Sequence, residues 1–279
     1  MDKISLIADN IRISKEVRKD ILNMTYAMGS TGAHLGGSLS AVEILVALYN
    51  HGITYDKNNP NFEERDRVIL SKGHAAMAFY AVLAEVGIID KEELLTFKKD
   101  GSKLGGHPSL NGTIGVEYAS GSLGQGLSLG VGACLALKRK GNNKSKVYVI
   151  LGDGECDEGS IWEAVASAAN FKLNNLVAII DSNAIQYDGY TKDVMNMDSM
   201  EEKWESFGWS VISIDGHDVN QLIDAYKIET AKPKVIIAHT IKGKGVSFME
   251  NNCKYHNASL NNEAYEQAMQ EVEASNVGV

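Results

Sequence analysis

Cysteine is scarce in this chain. Cys134, Cys156 and Cys253 are all there are, and their spacing gives neither a paired metal-ligand pattern nor a disulfide framework. No long charge-free apolar run of membrane-spanning type occurs, and the amino-terminal segment MDKISLIADNIRISKEVRKD has no signal-like hydrophobic region, so the cytoplasm is the default location. Positive charge is also short: 27 Lys and Arg against 36 Asp and Glu leave a net charge of -9. That balance argues against nonspecific nucleic-acid binding, yet backbone donors and a metal can still hold a small anion locally. Repeats and low-complexity tracts are absent too.

With 44% hydrophobic and 23% charged residues, the 279-residue chain can bury a sizeable core, and it reads as one domain over residues 1–279. Val17, Ile21, Met24 and Met28 recur at helical spacing and predict a helix over residues 14–28, capped by Ser14. Glycines then interrupt the chain between Gly29 and Ser38 before a second helix begins near Ser40; this linker, rather than either helix, looks functional. A strand is expected at 67–70 and a small-residue helix at 75–86. Residues 101–121 are rich in turns, and 123–137 form a glycine-rich helix suited to close packing. Strands at 147–151, 176–180, 210–214 and 234–238 alternate with helices at 160–171, 200–207 and 220–230. Residues 261–279 complete the pattern with one helix and a frayed end. The alternation predicts an α/β fold with an open, mostly parallel sheet.

Chemistry is densest at two strand ends. Gly152-Asp153-Gly154 follows the apolar run at 147–151, and Asp181-Ser182-Asn183-Ala184-Ile185-Gln186 follows that at 176–180. In an open parallel sheet such carboxyl ends converge on one crevice, where Asp153 and the Asn183 amide oxygen would be hard ligands for magnesium or calcium. Taken singly, Asp153 reads as a helix cap and Asn183 as a turn residue; together they favour the metal. Cys156 has no basic neighbour to activate it and reads as a tolerated small side chain.

Gly152-Asp153-Gly154, 28 residues and then Asn183 resemble the thiamine-diphosphate and magnesium signature of the transketolases. The segments Ser30 to Gly37, Ser71-Lys72-Gly73-His74, Gly106-His107-Pro108 and Gly121 to Gly126 stand in that family's order. Asp215-Gly216-His217-Asp218 and His239 to Gly245 follow likewise. The resemblance implies a three-layer thiamine-diphosphate-binding fold. It also implies that Asp153, Asn183 and the Ile185 carbonyl hold Mg2+, with Ca2+ or Mn2+ as substitutes, and that the Gly154 N–H, His74 and His256 meet the cofactor diphosphate. Gly121 and Leu123 would lie against thiamine, and His34 and His107 would line the reacting carbon. Glu158 would join a buried polar network at a subunit contact. Lys72, Lys242 and Lys244 read equally well as solvated side chains or as phosphate contacts.

Three positions depart from the family pattern: Ala184 stands where glycine is common, Asn257 follows His256, and Leu35 follows His34. The family's pyrimidine-binding and carboxyl-terminal parts are missing from this length. The expectation is therefore the amino-terminal subunit of a two-chain transketolase that moves a glycolaldehyde unit from a ketose phosphate to an aldose phosphate in pentose-phosphate carbohydrate metabolism. A carboxyl-terminal subunit would complete an α2β2 heterotetramer. A related thiamine-dependent transferase acting on an unusual ketose is the alternative, followed by a deoxyxylulose-phosphate-synthase-like enzyme and a noncatalytic cofactor-binding scaffold. A Rossmann oxidoreductase is poorly supported, because no nicotinamide-binding glycine loop with its ribose-binding acid is present.

Overall fold

Five apolar runs become one parallel sheet in the computed structural model, which describes residues 3–60, 62–112 and 115–275. β1 (Arg67–Leu70), β2 (Val147–Gly152), β3 (Leu176–Ser182), β4 (Ser210–Asp215) and β5 (Lys234–His239) lie in the order β1-β2-β3-β5-β4. Every neighbouring pair is parallel. β2 is buried throughout, and β3 along all but its last residue. This is why both read as continuous apolar runs: helices cover both faces of a central parallel strand. At the sheet edge, β4 is only partly covered.

Alternate side chains divide between two cores. Tyr148, Ile150, Val177, Ile179 and Ile236 face α1 (Lys3–Ala27), α2 (Gly36–Leu39), α3 (Val42–Ala47), α4 (Ala76–Glu85), α9 (Val219–Lys227) and α10 (Asn262–Ala274). Val147, Val149, Leu151, Ala178 and Ile180 face α5 (Gly126–Arg139), α6 (Gly159–Asn170) and α8 (Met200–Ser206). The short α7 (Thr191–Val194) lies between β3 and α8 in the chain. The expected three-layer α/β architecture is thus present.

Glycine costs helix stability, so its place in α5 needs a packing reason. A Cβ at Gly126 would lie 2.3 Å from Ser71 Oγ, and one at Gly130 would lie 2.7 Å from Val149 Cγ2. The helix therefore lies against the sheet at a distance only a bare backbone allows. That approach fixes where the loop leading into α5 emerges beside the ends of β1 and β2.

Two elements differ from the sequence-based expectation. α1 begins at Lys3 rather than at Ser14; Ser14 is buried inside the helix, and its hydroxyl has no partner among the described residues. The extra turns are held by a polar anchor: Asn10 Nδ2 donates to the Leu6 carbonyl at 2.7 Å and meets His51 Nε2 at 2.5 Å. An apolar-periodicity argument does not see such an anchor. The second helix divides into α2 and α3, and α2 already starts at Gly36. The frayed end expected after α10 falls, beyond residue 275, outside the described residues. Among the described residues no helix is long and apolar enough to cross a membrane.

Candidate active site

Gly152 pairs with Asp181 across β2 and β3, so the turns that follow the two strands open into one crevice. One carboxylate joins them. Asp153 Oδ1 accepts the Gly154 N–H at 2.8 Å, and Oδ2 accepts the Ala184 N–H at 2.5 Å. Asn183, only 5% exposed, turns its Oδ1 onto the Ile185 N–H at 3.2 Å. Ala184 has φ +61, the left-handed region that glycine favours and that costs another residue about 1 kcal/mol. The departure at this position thus keeps the glycine-type turn, with Asn183 and Ile185 on either side of it. At Gly154 a side chain would crowd Gln186, since a Cβ would lie 2.8 Å from its Oε1 and 3.0 Å from its Cβ.

Beneath the turns lies a buried ion pair between Lys72 and Asp181, 1% and 0% exposed. Asp181 also accepts hydrogen bonds from Ser40 Oγ at 2.6 Å, from Thr240 Oγ1 and from Asn183 Nδ2 at 3.4 Å. Lys72 donates to the Gly37 carbonyl at 3.0 Å as well. Burial alone would raise the Asp181 pKa, but the Lys72 ammonium and these donors hold it below the usual carboxylate value. Lys242, 2% exposed, donates to the Ile185 carbonyl at 2.6 Å and meets His256 Nδ1 at 2.9 Å. Burial, with Lys72 nearby, draws its pKa down to about 8. The solvated reading is therefore wrong for Lys72 and Lys242, whose partners come from distant parts of the chain. It is closer for Lys244, which is partly exposed and lies 3.5 Å from Glu250.

Four histidines from four loops meet beside this crevice. The His34 ring lies 5.8, 5.7 and 5.5 Å from those of His74, His107 and His256, and His74 lies 5.4 Å from His256. Burial, reinforced by His107, Lys98 and Lys242, lowers His34 to about 4. Burial and then Lys242 lower His256 to about 3. His74 is held well below the ordinary value, mainly by burial, and His107 is lowered by burial and Lys98. The cluster is therefore neutral at pH 7, each ring offering one donor and one acceptor. Gly121, at φ +144, backs onto His107: a Cβ there would lie 3.5 Å from that side chain. Leu123, 37% exposed, stands two residues further along the same loop.

An acid that sequence reasoning missed anchors that loop. Glu155, 2% exposed, accepts the Ser71 hydroxyl and the Gly124 N–H (2.9 Å) on Oε1, and the Gly152 N–H (3.0 Å) on Oε2. It ties together the ends of β1 and β2 and the Gly121–Gln125 loop. Glu158, expected in a polar network buried at a subunit contact, is exposed on the single chain. The only signal for Glu155 was an acid placed directly after an apolar strand and its glycine turn. Glu155→Ala leaves one hydroxyl and two N–H groups without their acceptor and should cost about 3 kcal/mol, with Gln restoring part of it. Equal urea midpoints for Ala and wild type would contradict this. Cys156 is fully buried and its thiol is pushed well above the ordinary value by burial, which makes it an inert core residue.

The crevice has features of a receiver. Asp153 is pushed up to about 6 by burial and then by the neighbouring Asp181 charge, so a cation beside it would be favourable. Ser120 Oγ is buried without a partner among the described residues, and a Cβ built on Gly73 would lie 2.7 Å from it and 3.0 Å from the Gly121 nitrogen. A buried orphan hydroxyl at this junction suits a polar ligand. The family model for "Transketolase, thiamine diphosphate binding domain" matches residues 12–275.

The chain belongs to the transketolase family.

Among its relatives, the 6-deoxy-6-sulfo-D-fructose transketolase subunit SqwG of Clostridium sp. (strain MSTE9) is 43% identical, over 86% of this chain and 88% of that protein. An apulose-4-phosphate transketolase subunit of Actinobacillus succinogenes is 41% identical, over 93% and 94%. Among solved structures, the transketolase of Campylobacter jejuni superposes with a TM-score of 0.85 at 30% identity, covering 99% of this chain and 44% of that one. This transketolase chain therefore spans less than half of the solved enzyme, but nearly the full length of the two relatives described as subunits.

Proposed function

We propose that the chain, as one diphosphate-binding domain, is a subunit of a two-chain transketolase that moves a two-carbon glycolaldehyde unit from an unusual ketose to an aldehyde. The first expectation, an ordinary ketose phosphate, gives way to the alternative because the two subunit-length relatives are named for a sulfonated fructose and for apulose 4-phosphate. The observation that carries the reading is the meeting of the Asp153–Asn183–Ile185 turn with His34, His74, His107 and His256 in one crevice.

The Asp153 carboxylate, the Asn183 amide oxygen and the Ile185 carbonyl would hold a hard divalent cation, Mg2+ first, with Ca2+ or Mn2+ as substitutes. Among the described residues no group of three or more His, Cys, Asp and Glu side chains is arranged for a metal. The proposed set does not need one, since only one of its oxygens is a carboxylate. The Lys242 ammonium bonds the Ile185 carbonyl at 2.6 Å and would have to turn aside for a metal to take that oxygen. The Gly154 N–H, the Asn183 side chain, His74 and His256 would hold thiamine diphosphate by its diphosphate end, with Gly121 and Leu123 against the ring system. Bound there, the cofactor supplies the electron sink that carbon–carbon cleavage needs.

This chain's own part is orientation and proton handling. His34 and His107, neutral at pH 7, can each give a proton to, or take one from, a sugar oxygen as its charge changes. A separate pyrimidine-binding chain would close the crevice, in an α2β2 assembly. The test is to assay aldehyde release and two-carbon transfer for each chain alone and for the mixture, with cofactor and Mg2+. Only the mixture should turn over. Full activity in this chain alone would defeat the two-chain reading, and an inert mixture that still binds cofactor would favour a scaffold.

A further inference from the structure

Lys98 lies between the two loops that carry the reacting-side histidines. Its N–H is held by the Leu104 carbonyl at 2.8 Å, and its φ of +57 puts a long side chain in a backbone region that disfavours one. Strain of this kind gathers at functional sites. The ammonium donates to the Gly32 carbonyl at 3.0 Å, two residues before His34. The aliphatic stem passes 3.5–3.7 Å from the position of a Cβ on Gly106, the residue before His107.

That ammonium is electrostatically uncompensated. Lys91 pairs with Asp20 and Glu85, and Lys103 with Glu93, but no carboxylate among the described residues pairs with Lys98. The residue is exposed, and one of its three N–H donors is accounted for. Its charge reaches both histidines, helping burial to keep His34 and His107 neutral; Lys242 is the other cation acting on His34 and is committed to Ile185 and His256. In a chain of net charge -9, a free cation beside the reacting groups is placed to meet an anion on the substrate.

We propose that Lys98 is a specificity-determining residue whose ammonium selects donor ketoses bearing a phosphate or sulfonate group. Resting on the transketolase reading above, this assigns part of the charge discrimination to the diphosphate-binding chain itself. Phosphate and sulfonate share the tetrahedral oxyanion chemistry that an ammonium recognises, and the dianionic phosphate gains more from it.

The experiment compares kcat/KM in the reconstituted complex for a ketose phosphate, a 6-sulfonated ketose and uncharged L-erythrulose, using wild type, Lys98→Met and Lys98→Arg. In Lys98→Met the preference for an anionic over the uncharged donor should fall about tenfold, and Lys98→Arg should restore most of it. Whichever anionic donor loses more identifies the group that is read. An equal fall for all three donors would make Lys98 a tether between loops and overturn the proposal, as would an unchanged ratio. If the wild-type complex transferred from none of the donors, the transketolase reading itself would fail and take this inference with it.

Discussion

Asp153→Ala should weaken Mg2+-dependent binding of thiamine diphosphate by at least about a hundredfold, a loss of roughly 3 kcal/mol. The substitution removes the one carboxylate of the proposed cation site, and also the bond to the Ala184 N–H that draws the second turn onto the first. The two losses separate in Asp153→Asn. There the side-chain oxygen can still accept one backbone N–H, but the charge that attracts a hard cation is gone. Titration calorimetry with Mg2+ and with EDTA distinguishes them. Asn should bind cofactor almost equally weakly in both, whereas wild type should bind far more tightly with the metal. Unchanged metal-dependent affinity in both variants would remove Asp153 from the site.

The largest stability effect is expected at Asp181. Asp181→Ala strands the Lys72 ammonium at 1% exposure and removes the common acceptor of Ser40, Thr240 and Asn183. Breaking a buried ion pair from one side typically costs about 3–5 kcal/mol, because the remaining charge has no partner. Equilibrium urea unfolding should show a loss of this size. Replacing both partners by apolar side chains, Lys72→Met with Asp181→Leu, should recover much of it, since the stranded charge goes too. Cofactor affinity should not recover in that double variant, because Asn183 Nδ2 has lost an acceptor on which its orientation depends. A double variant as unstable as Asp181→Ala would mean that the hydroxyl donors, rather than the charge, dominate.

Much of this architecture was legible in the residues. Val147 to Leu151 and Leu176 to Ile180 are continuous apolar runs because helices cover both of their faces, and their lengths match the strands to within two residues. The meeting of the turns that carry Asp153 and Asn183 was legible because both follow strand ends, where parallel topology forces convergence. Individual partners were not. Lys72 and Lys242 read equally well as solvated side chains or phosphate contacts because their acceptors, Asp181 and the Ile185 carbonyl, lie 109 and 57 residues away in the chain. Glu155 was overlooked because its partners, Ser71 and Gly124, come from loops 84 and 31 residues away in the chain. The long α1 was cut short because Asn10 and His51 hold its amino-terminal half through a polar contact rather than an apolar stripe. Donor preference was beyond the motifs, which describe the cofactor side of the crevice.

The register of β2 on β3 also acts as a ruler for the chemistry above it. Gly152 stands opposite Asp181, so the turns that carry Asp153 and Asn183 leave the same edge of the sheet side by side. Side chains alternate faces along a strand, so a shift of one residue in β2 would turn its apolar set toward the wrong helical layer and carry one oxygen donor away from the other. Deleting a single residue deep in β2, far from any ligand, would thus disable cation capture as surely as a change at Asp153. The span from Val147 to Leu151 has to be counted as part of the site.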